Sequence, residues 1–196
     1  MSIYTQLRPW IFRLAPEQAH TVTLALLRIA GASAVGRRLT AALFAPRPAG
    51  PPVRAFGLTF ANPIGLAAGY DKDGLGWRGL AALGFGHLEL GTVTPRPQPG
   101  NPAPRIFRLI EDRAVINRMG FPSRGADFLA DRLTGPRPPA VILGVNIGKN
   151  KDTPLERAHE DYLALLRRFA ALADYLAINV SSPNTPGLRQ LQGAAA

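Results

Sequence analysis

Four clusters of polar and small residues each follow a short apolar run. They are Gly69-Tyr70-Asp71-Lys72-Asp73-Gly74, Gly91-Thr92, Asn146-Ile147-Gly148-Lys149 and Asn179-Val180-Ser181-Ser182-Pro183-Asn184. Together they offer carboxamides that both donate and accept hydrogen bonds, several hydroxyls and a Lys ammonium. Taken singly, each cluster reads as a turn, because Gly, Asn, Asp, Ser and Pro are the turn formers. Four in succession, carrying Lys, Thr, Asn, and Asn with Ser, point instead to ligand binding at the carboxyl ends of parallel strands.

Much other chemistry is excluded. The chain has no Cys, which removes disulfides, thiolate zinc sites, iron–sulfur clusters and cysteine nucleophiles. Its three histidines, His20, His87 and His159, are far apart, so no metal site is expected. Gly144-Val145-Asn146-Ile147-Gly148-Lys149-Asn150 has three residues between its glycines where a phosphate-binding loop needs four, and Asn where that loop has Ser or Thr. Gly84-Phe85-Gly86 lacks the third glycine of a dinucleotide fingerprint, and no G-x-S-x-G elbow is present.

The elements that must carry these clusters alternate between two periods. Candidate strands cover Pro63–Gly69, His87–Val93, Val141–Gly148 and Tyr175–Ser181, with candidate helices at Leu75–Leu83, Ser123–Arg132 and Leu155–Ala173. Thr153-Pro154-Leu155-Glu156 reads as the capped start of the third helix, with Thr as cap and Pro at the first position. Strand–helix alternation implies an α/β fold with a parallel sheet. Four such units fit the N-terminal part of a (β/α)8 TIM barrel, and a doubly wound open sheet is the competing arrangement. The segment Pro95–Phe121 breaks the rhythm, and long connections of this kind are usually functional.

Of 196 residues, 46% are apolar, enough for a sizeable core. Residues 1–45 read as an extension of two amphipathic helices, the first through Ile3, Leu7, Trp10, Ile11 and Leu14, the second from Pro16 to Gly31. Their apolar faces either meet lipid or pack on the body of the protein, with packing the favoured alternative. The Pro-rich stretch 46–55 reads as a linker, and 56–196 as the barrel portion. Net charge is +10, and residues 1–55 hold seven Arg against the single acid Glu17. That basic segment suits an anionic partner, a membrane surface or nucleic acid. No run is long enough to span a bilayer and no secretory signal is apparent, so a cytoplasmic location is expected.

The segments NPIGLAAGYDKDG (62–74), GFGHLELGTVTPRPQPGNPAPRIFRL (84–109), INRMGF (116–121), LGVNIGKNKDTP (143–154) and INVSSPNTPGLRQLQ (178–192) closely resemble dihydroorotate dehydrogenases. The resemblance covers nearly the whole chain, and the helical extension resembles that of the class 2, quinone-dependent, membrane-associated enzymes. It implies a (β/α)8 barrel that binds FMN. It also implies oxidation of dihydroorotate to orotate in pyrimidine biosynthesis, with a peripheral location at the inner membrane and no nucleic-acid partner.

The family's roles transfer by position. Ala68, Gly69, Tyr70, Asp71 and Lys72 match a flavin-contacting loop, Lys72 also reaching substrate, and Thr92, Asn146 and Asn179 match further flavin contacts. Asn117, Arg118, Met119, Gly120 and Phe121 match the substrate loop, joined by Asn179 and Asn184. Ser182 matches the catalytic base, where class 1 relatives carry Cys, and so indicates class 2. His20 and Arg108 match residues lining a quinone tunnel.

Two departures stand out. Pro122 follows the substrate loop where the family commonly has Asn, which alters the end of that loop. The family's later strands, with another flavin-contacting Lys and the phosphate loops, lie beyond these 196 residues, so the chain reads as an N-terminal portion that alone is expected to bind FMN weakly or not at all. A half barrel would also expose strand edges, an aggregation hazard. Two other readings remain open: another FMN-dependent pyrimidine reductase of barrel fold, and a non-catalytic basic module for membrane or nucleic acid.

Overall fold

The fold is that of a computed structural model, which describes residues 3–45, 51–138, 141–183, 185 and 187–193. Three helices come first: α1 (Ile3–Ile11), α2 (Pro16–Gly31) and α3 (Ala34–Phe44). Pro16 opens α2 at a first-turn position, where its missing N–H goes unneeded. The third helix was not foreseen as separate. The chain breaks after Gly31 because Ser33 caps a new helix, its hydroxyl oxygen accepting from the Gly36 N–H at 2.9 Å.

Helix α2 docks by backbone approach. A Cβ on Gly79, which lies in α4 (Trp77–Ala81), would sit 2.1 Å from the Leu27 carbonyl oxygen, so only glycine permits this crossing. The outer faces stay bare. Trp10, Ile29 and Leu43 are 63%, 71% and 74% exposed, and Leu7, Val22 and Leu26 are exposed beside them. The favoured expectation that the apolar stripes pack on the body therefore fails: α2 docks through Leu24, Leu27 and Gly31, and its Val22–Leu26–Ile29 stripe faces outward.

Residues 46–50 of the expected linker lie outside the described residues. Pro51 and Pro52 carry no regular element, and the last three residues of the stretch are strand. Val53–Ala55 forms β1, paired antiparallel with β2 (Leu58–Phe60) across Phe56-Gly57, both with positive φ as a tight hairpin requires.

Four parallel strands then build the sheet: β3 (Gly65–Leu66), β4 (His87–Val93), β7 (Ile142–Ile147) and β8 (Tyr175–Ile178), in that spatial order. Between β4 and β7 lie a second hairpin, β5 (Ile106–Leu109) with β6 (Ala114–Asn117), and helix α5 (Ala126–Leu133). Helix α6 (Ala158–Phe169) joins β7 to β8. The hairpin occupies the segment Pro95–Phe121 that broke the rhythm.

Alternation on β4 shows how the sheet is loaded. Leu88 and Leu90 are fully buried on the helix side with Leu129, Leu143, Val145, Leu165 and Phe169, while His87 and Glu89 point to the opposite face. Parallel strands with helices packed on one face match the N-terminal half of a TIM barrel.

Most element boundaries shift by one to four residues from expectation, and the helices become Trp77–Ala81, Ala126–Leu133 and Ala158–Phe169. The first strand shrinks to Gly65–Leu66, because Ala68–Gly69 turn out of the sheet, and the last ends at Ile178. Thr153 does not cap a helix. Pro154 heads a short 3-10 turn, Leu155–Arg157, and the Thr153 hydroxyl donates to the Asp161 carboxylate at 2.8 Å.

Candidate active site

The loop after β3 is folded around Asp71, which is 1% exposed. Its two carboxylate oxygens accept from the Leu75 and Gly76 N–H groups, both at 2.8 Å. Burial pushes the Asp71 carboxyl above its ordinary value, against these two hydrogen bonds. The loop is pinned to β4 on both sides, Gly69 N–H donating to Gly91 O at 2.8 Å and Gly91 N–H to Asp71 O at 3.4 Å. Asp71 thus shapes the loop, and Lys72 is carried on it. Burial lowers the Lys72 ammonium from its usual range, opposed by Asp73 and reinforced by Arg105.

One strand further in, three side chains from adjacent strand ends meet. The Thr92 hydroxyl donates to Asn146 Oδ1 at 2.5 Å. Asn179 Nδ2 donates to Thr92 Oγ1 at 2.9 Å and to Asn146 Oδ1 at 3.1 Å. Asn179 Oδ1 in turn accepts from the Ser181 N–H and hydroxyl, both at 3.2 Å. Sequence put Thr92, Asn146 and Asn179 on three separate strand ends; the fold joins them in one cluster beside the Gly69 loop.

Ser182 sits half-buried on the segment that leaves β8. That segment is braced by the 3-10 turn Leu188–Gln192, with Arg189 Nε donating to Ser181 O at 3.0 Å and Gln192 Nε2 to Val180 O at 3.1 Å. Asn184 lies outside the described residues.

A cleft of about 750 Å³ opens between α2 and the loop after β3. Lys72, Asp73, His20, Arg105, Met119 and Pro122 are among its lining residues. His20 Nε2 lies 2.5 Å from the Tyr70 carbonyl oxygen, and its ring stands edge-on to the Tyr70 ring at 5.0 Å. Arg108 is not in the lining. Its guanidinium donates to Leu14 O at 2.7 Å and covers the Phe12 ring at 4.6 Å, bracing the α1–α2 turn.

The loop Asn117–Phe121 divides. Met119 faces the cleft, while Gly120 and Phe121 are buried, Phe121 against Gly148. Asn117 and Arg118 are exposed and absent from the lining, and the Arg118 guanidinium donates to Pro104 O at 3.0 and 3.2 Å. Arg118 acts here as a loop brace.

Sequence reading missed two inward side chains, Glu89 and Tyr175. Glu89 accepts from Asn146 Nδ2 at 2.8 Å and from the Tyr175 hydroxyl at 3.0 Å. The signal was present in the alternation of His87-Leu88-Glu89-Leu90, which puts a carboxylate on the inner face. It also missed Glu17 and Arg105, which form an ion pair at 2.6 Å across the cleft mouth. No group of His, Asp or Glu suited to a metal occurs among the described residues. Nor is any single helix there long and apolar enough to cross a membrane, although α2 and α3 pass that test as a pair bent by 118°.

Residues 52–196 match the family described as dihydroorotate dehydrogenase. A quinone-type dihydroorotate dehydrogenase of Roseiflexus sp. is 55% identical over 195 residues, which is 100% of this chain and 54% of that protein. One of Acidithiobacillus ferrooxidans is 56% identical over 98% of this chain and 53% of its own length. The ligand-free Eimeria tenella enzyme superposes with a TM-score of 0.77 at 43% identity, over 90% of this chain and 49% of that one. Its ferulenol complex gives 0.74 at 41% identity, over 93% and 50%. The chain spans about half the length of the curated relatives it matches, and it belongs to the dihydroorotate dehydrogenase family.

Proposed function

We propose that the whole protein containing this chain oxidises dihydroorotate to orotate on FMN and passes the electrons to a membrane quinone. The observation that carries this reading is the Thr92–Asn146–Asn179 cluster, set at three adjacent strand ends next to the Lys72 loop.

The residues present suit FMN. A Cβ on Gly69 would meet nothing within 4 Å, and its φ of +109° favours glycine, so the loop backbone offers a bare approach for a flat ring. Uncharged amides and a hydroxyl beside one Lys ammonium supply the mixed donor and acceptor set that an isoalloxazine edge needs. Bound FMN supplies the hydride acceptor. Lys72 places a positive charge beside the anionic substrate and the reacting centre, in a site fixed before reaction. Asn179 supplies a carboxamide for the amide-rich pyrimidine without adding charge, a role the family resemblance also assigns to Asn117 and Asn184. Ser182 takes the C5 proton as the C6 hydride leaves, and its hydroxyl needs a polar relay to do so at neutral pH.

The outer faces of α1–α3 support the membrane part of the proposal. Exposed Trp10, Leu14, Ile29 and Phe44 stand among Arg8, Arg13, Arg28 and Arg38, a combination that binds an anionic bilayer surface without crossing it. The cleft behind α2 then gives a quinone an apolar entry past His20.

The test is dihydroorotate-dependent reduction of a soluble quinone analogue by the whole protein. Ser182→Ala is expected to lower turnover roughly 10²–10⁴-fold with FMN retained; undiminished turnover overturns the assignment of the base. For the 196-residue chain alone, little flavin absorbance is expected to survive desalting.

A further inference from the structure

The inner face below the Thr92–Asn146–Asn179 cluster holds a second row of side chains with no part in the proposed chemistry. Register places Glu89 of β4 opposite Gly144 of β7, and Gly144 opposite Tyr175 of β8. Gly144 leaves the middle of this row empty. Tyr175 fills it by laying its ring across the strand: a Cβ on Gly144 would sit 2.1 Å from Tyr175 Cζ and 2.5 Å from its hydroxyl oxygen. The hydroxyl thereby reaches Glu89 Oε2 at 3.0 Å. Burial, then the neighbouring Glu89 charge and this hydrogen bond, raise the Tyr175 phenol above its ordinary value, so it stays protonated and remains a donor.

The other carboxylate oxygen faces upward. Glu89 Oε1 accepts from Asn146 Nδ2 at 2.8 Å. A carboxamide has two chemically distinct ends, and a carboxylate can only accept. Glu89 therefore draws the NH2 end of Asn146 down toward the inner row and turns Oδ1 toward Thr92 and Asn179. The reversed carboxamide would set oxygen against oxygen at Glu89 and lose the acceptor shared by Thr92 and Asn179.

We propose that Glu89, held by Tyr175 across Gly144, is a positioning residue that fixes the orientation of the Asn146 carboxamide and, through it, the donor pattern of the Thr92–Asn146–Asn179 cluster. Its functional consequence rests on the reading of that cluster as flavin contacts. The orientation itself does not.

The experiment has two arms. In the whole protein, the Asn146 side-chain NH2 is followed by 15N NMR with Asn-selective labelling, using Asn146→Asp for assignment. Glu89→Leu is expected to shift that resonance pair and to speed its exchange with water at least tenfold. Glu89→Gln is expected to keep it slow, because Gln Oε1 can replace Glu Oε1 while Gln Nε2 donates to the Tyr175 oxygen. In the same protein, FMN affinity is read by flavin fluorescence. There Glu89→Leu is expected to weaken binding tenfold or more, with Glu89→Gln within about threefold of the parent, a conservative rescue that a loss of general packing would not produce.

An Asn146 amide unmoved in Glu89→Leu overturns the proposal, and so does equal weakening of FMN binding by the two variants. A displaced Asn146 amide with unchanged FMN affinity supports the orientation and overturns the flavin reading instead. Tyr175→Phe serves if Glu89→Leu fails to fold: it keeps the ring and removes one hydrogen bond, and a smaller shift of the same Asn146 resonances is expected. An unchanged spectrum in Tyr175→Phe overturns the role given to Tyr175.

Discussion

Glu17 of α2 and Arg105, 88 positions later, share a forked ion pair at the mouth of the cleft, with Arg105 Nη2 2.6 Å and Nε 3.0 Å from Glu17 Oε1. The same guanidinium donates to the Pro99 and Asn101 carbonyl oxygens at 2.7 and 3.1 Å. Arg105 thus ties the helical extension to the long connection that carries the hairpin. With the Arg105 and Glu17 side chains 17% and 36% exposed, the pair belongs at the upper end of the surface salt-bridge range.

A double-mutant cycle on Glu17→Gln and Arg105→Met should give a coupling of about 1 kcal/mol by denaturant unfolding. Glu17→Gln should also hasten proteolysis within residues 12–33, because α2 loses its clasp while the hairpin keeps the two carbonyl bonds to Arg105. A coupling near zero, with unchanged cleavage, would mean that the Gly79 crossing alone seats α2.

Gly144→Ala should be costly for a residue whose change adds one carbon. The new Cβ would sit 2.1 Å from Tyr175 Cζ, and the ring cannot yield without losing Glu89. Overpacking of this kind costs about 1–3 kcal/mol. Thermal unfolding of Gly144→Ala beside Gly144→Ala/Tyr175→Ala would check it. The second change should recover part of the loss by vacating the space, and if it adds to the loss instead, the clash is not the cause.

Gly144 also shows what the sequence could and could not disclose. Read along the chain, Gly144 and Gly148 looked like a phosphate loop of the wrong length. In the fold each makes room for a neighbouring side chain, Gly144 for Tyr175 and Gly148 for the Thr92 methyl and Phe121. The strand ends were legible because apolar runs stop where Asp71, Thr92, Asn146 and Asn179 begin. The joining of three of those residues was not, because it depends on register across β4, β7 and β8, a property of pairs of strands. The direction of the α2 stripe was misread for a related reason. Gly31 and Gly79 let the backbone of α2 approach α4, so the close packing falls on the Leu24–Leu27–Gly31 face rather than on the Val22–Leu26–Ile29 stripe.

The sheet has two outer strands, and β3 and β8 each pair on one side only among the described residues. On β8, Ile178 is 65% exposed next to that open edge. An exposed apolar edge strand is a template for pairing with another chain. The 196-residue chain should therefore aggregate with strand-rich character on concentration, and Ile178→Lys should delay it several-fold, as light scattering and thioflavin fluorescence would report. Equal aggregation by the variant would direct attention to the apolar outer faces of α1–α3.

In the substrate-binding role proposed for it, Lys72 sets stability against binding. Its ammonium is depressed by burial and by Arg105, with Asp73 compensating in part, so the folded chain holds that proton less tightly than the unfolded one. The sign follows: charged Lys72 counts against the fold at neutral pH, and the handicap fades as pH rises through the depressed folded value toward the unfolded one near 10.5. Lys72→Met should then be as stable as the parent or more so by about 0.5–1 kcal/mol at pH 7. That advantage should shrink as pH climbs toward 10. Binding should move the other way. Orotate affinity of the whole protein should fall tenfold or more in Lys72→Met, and in the parent it should weaken as pH rises through the Lys72 titration, since the neutral amine no longer meets the carboxylate with charge. Isothermal titration with orotate at pH 7 and at pH 9.5, beside unfolding curves at the same two values, separates the effects. A variant that loses stability at pH 7 would show that Asp73 needs the Lys72 charge more than burial opposes it.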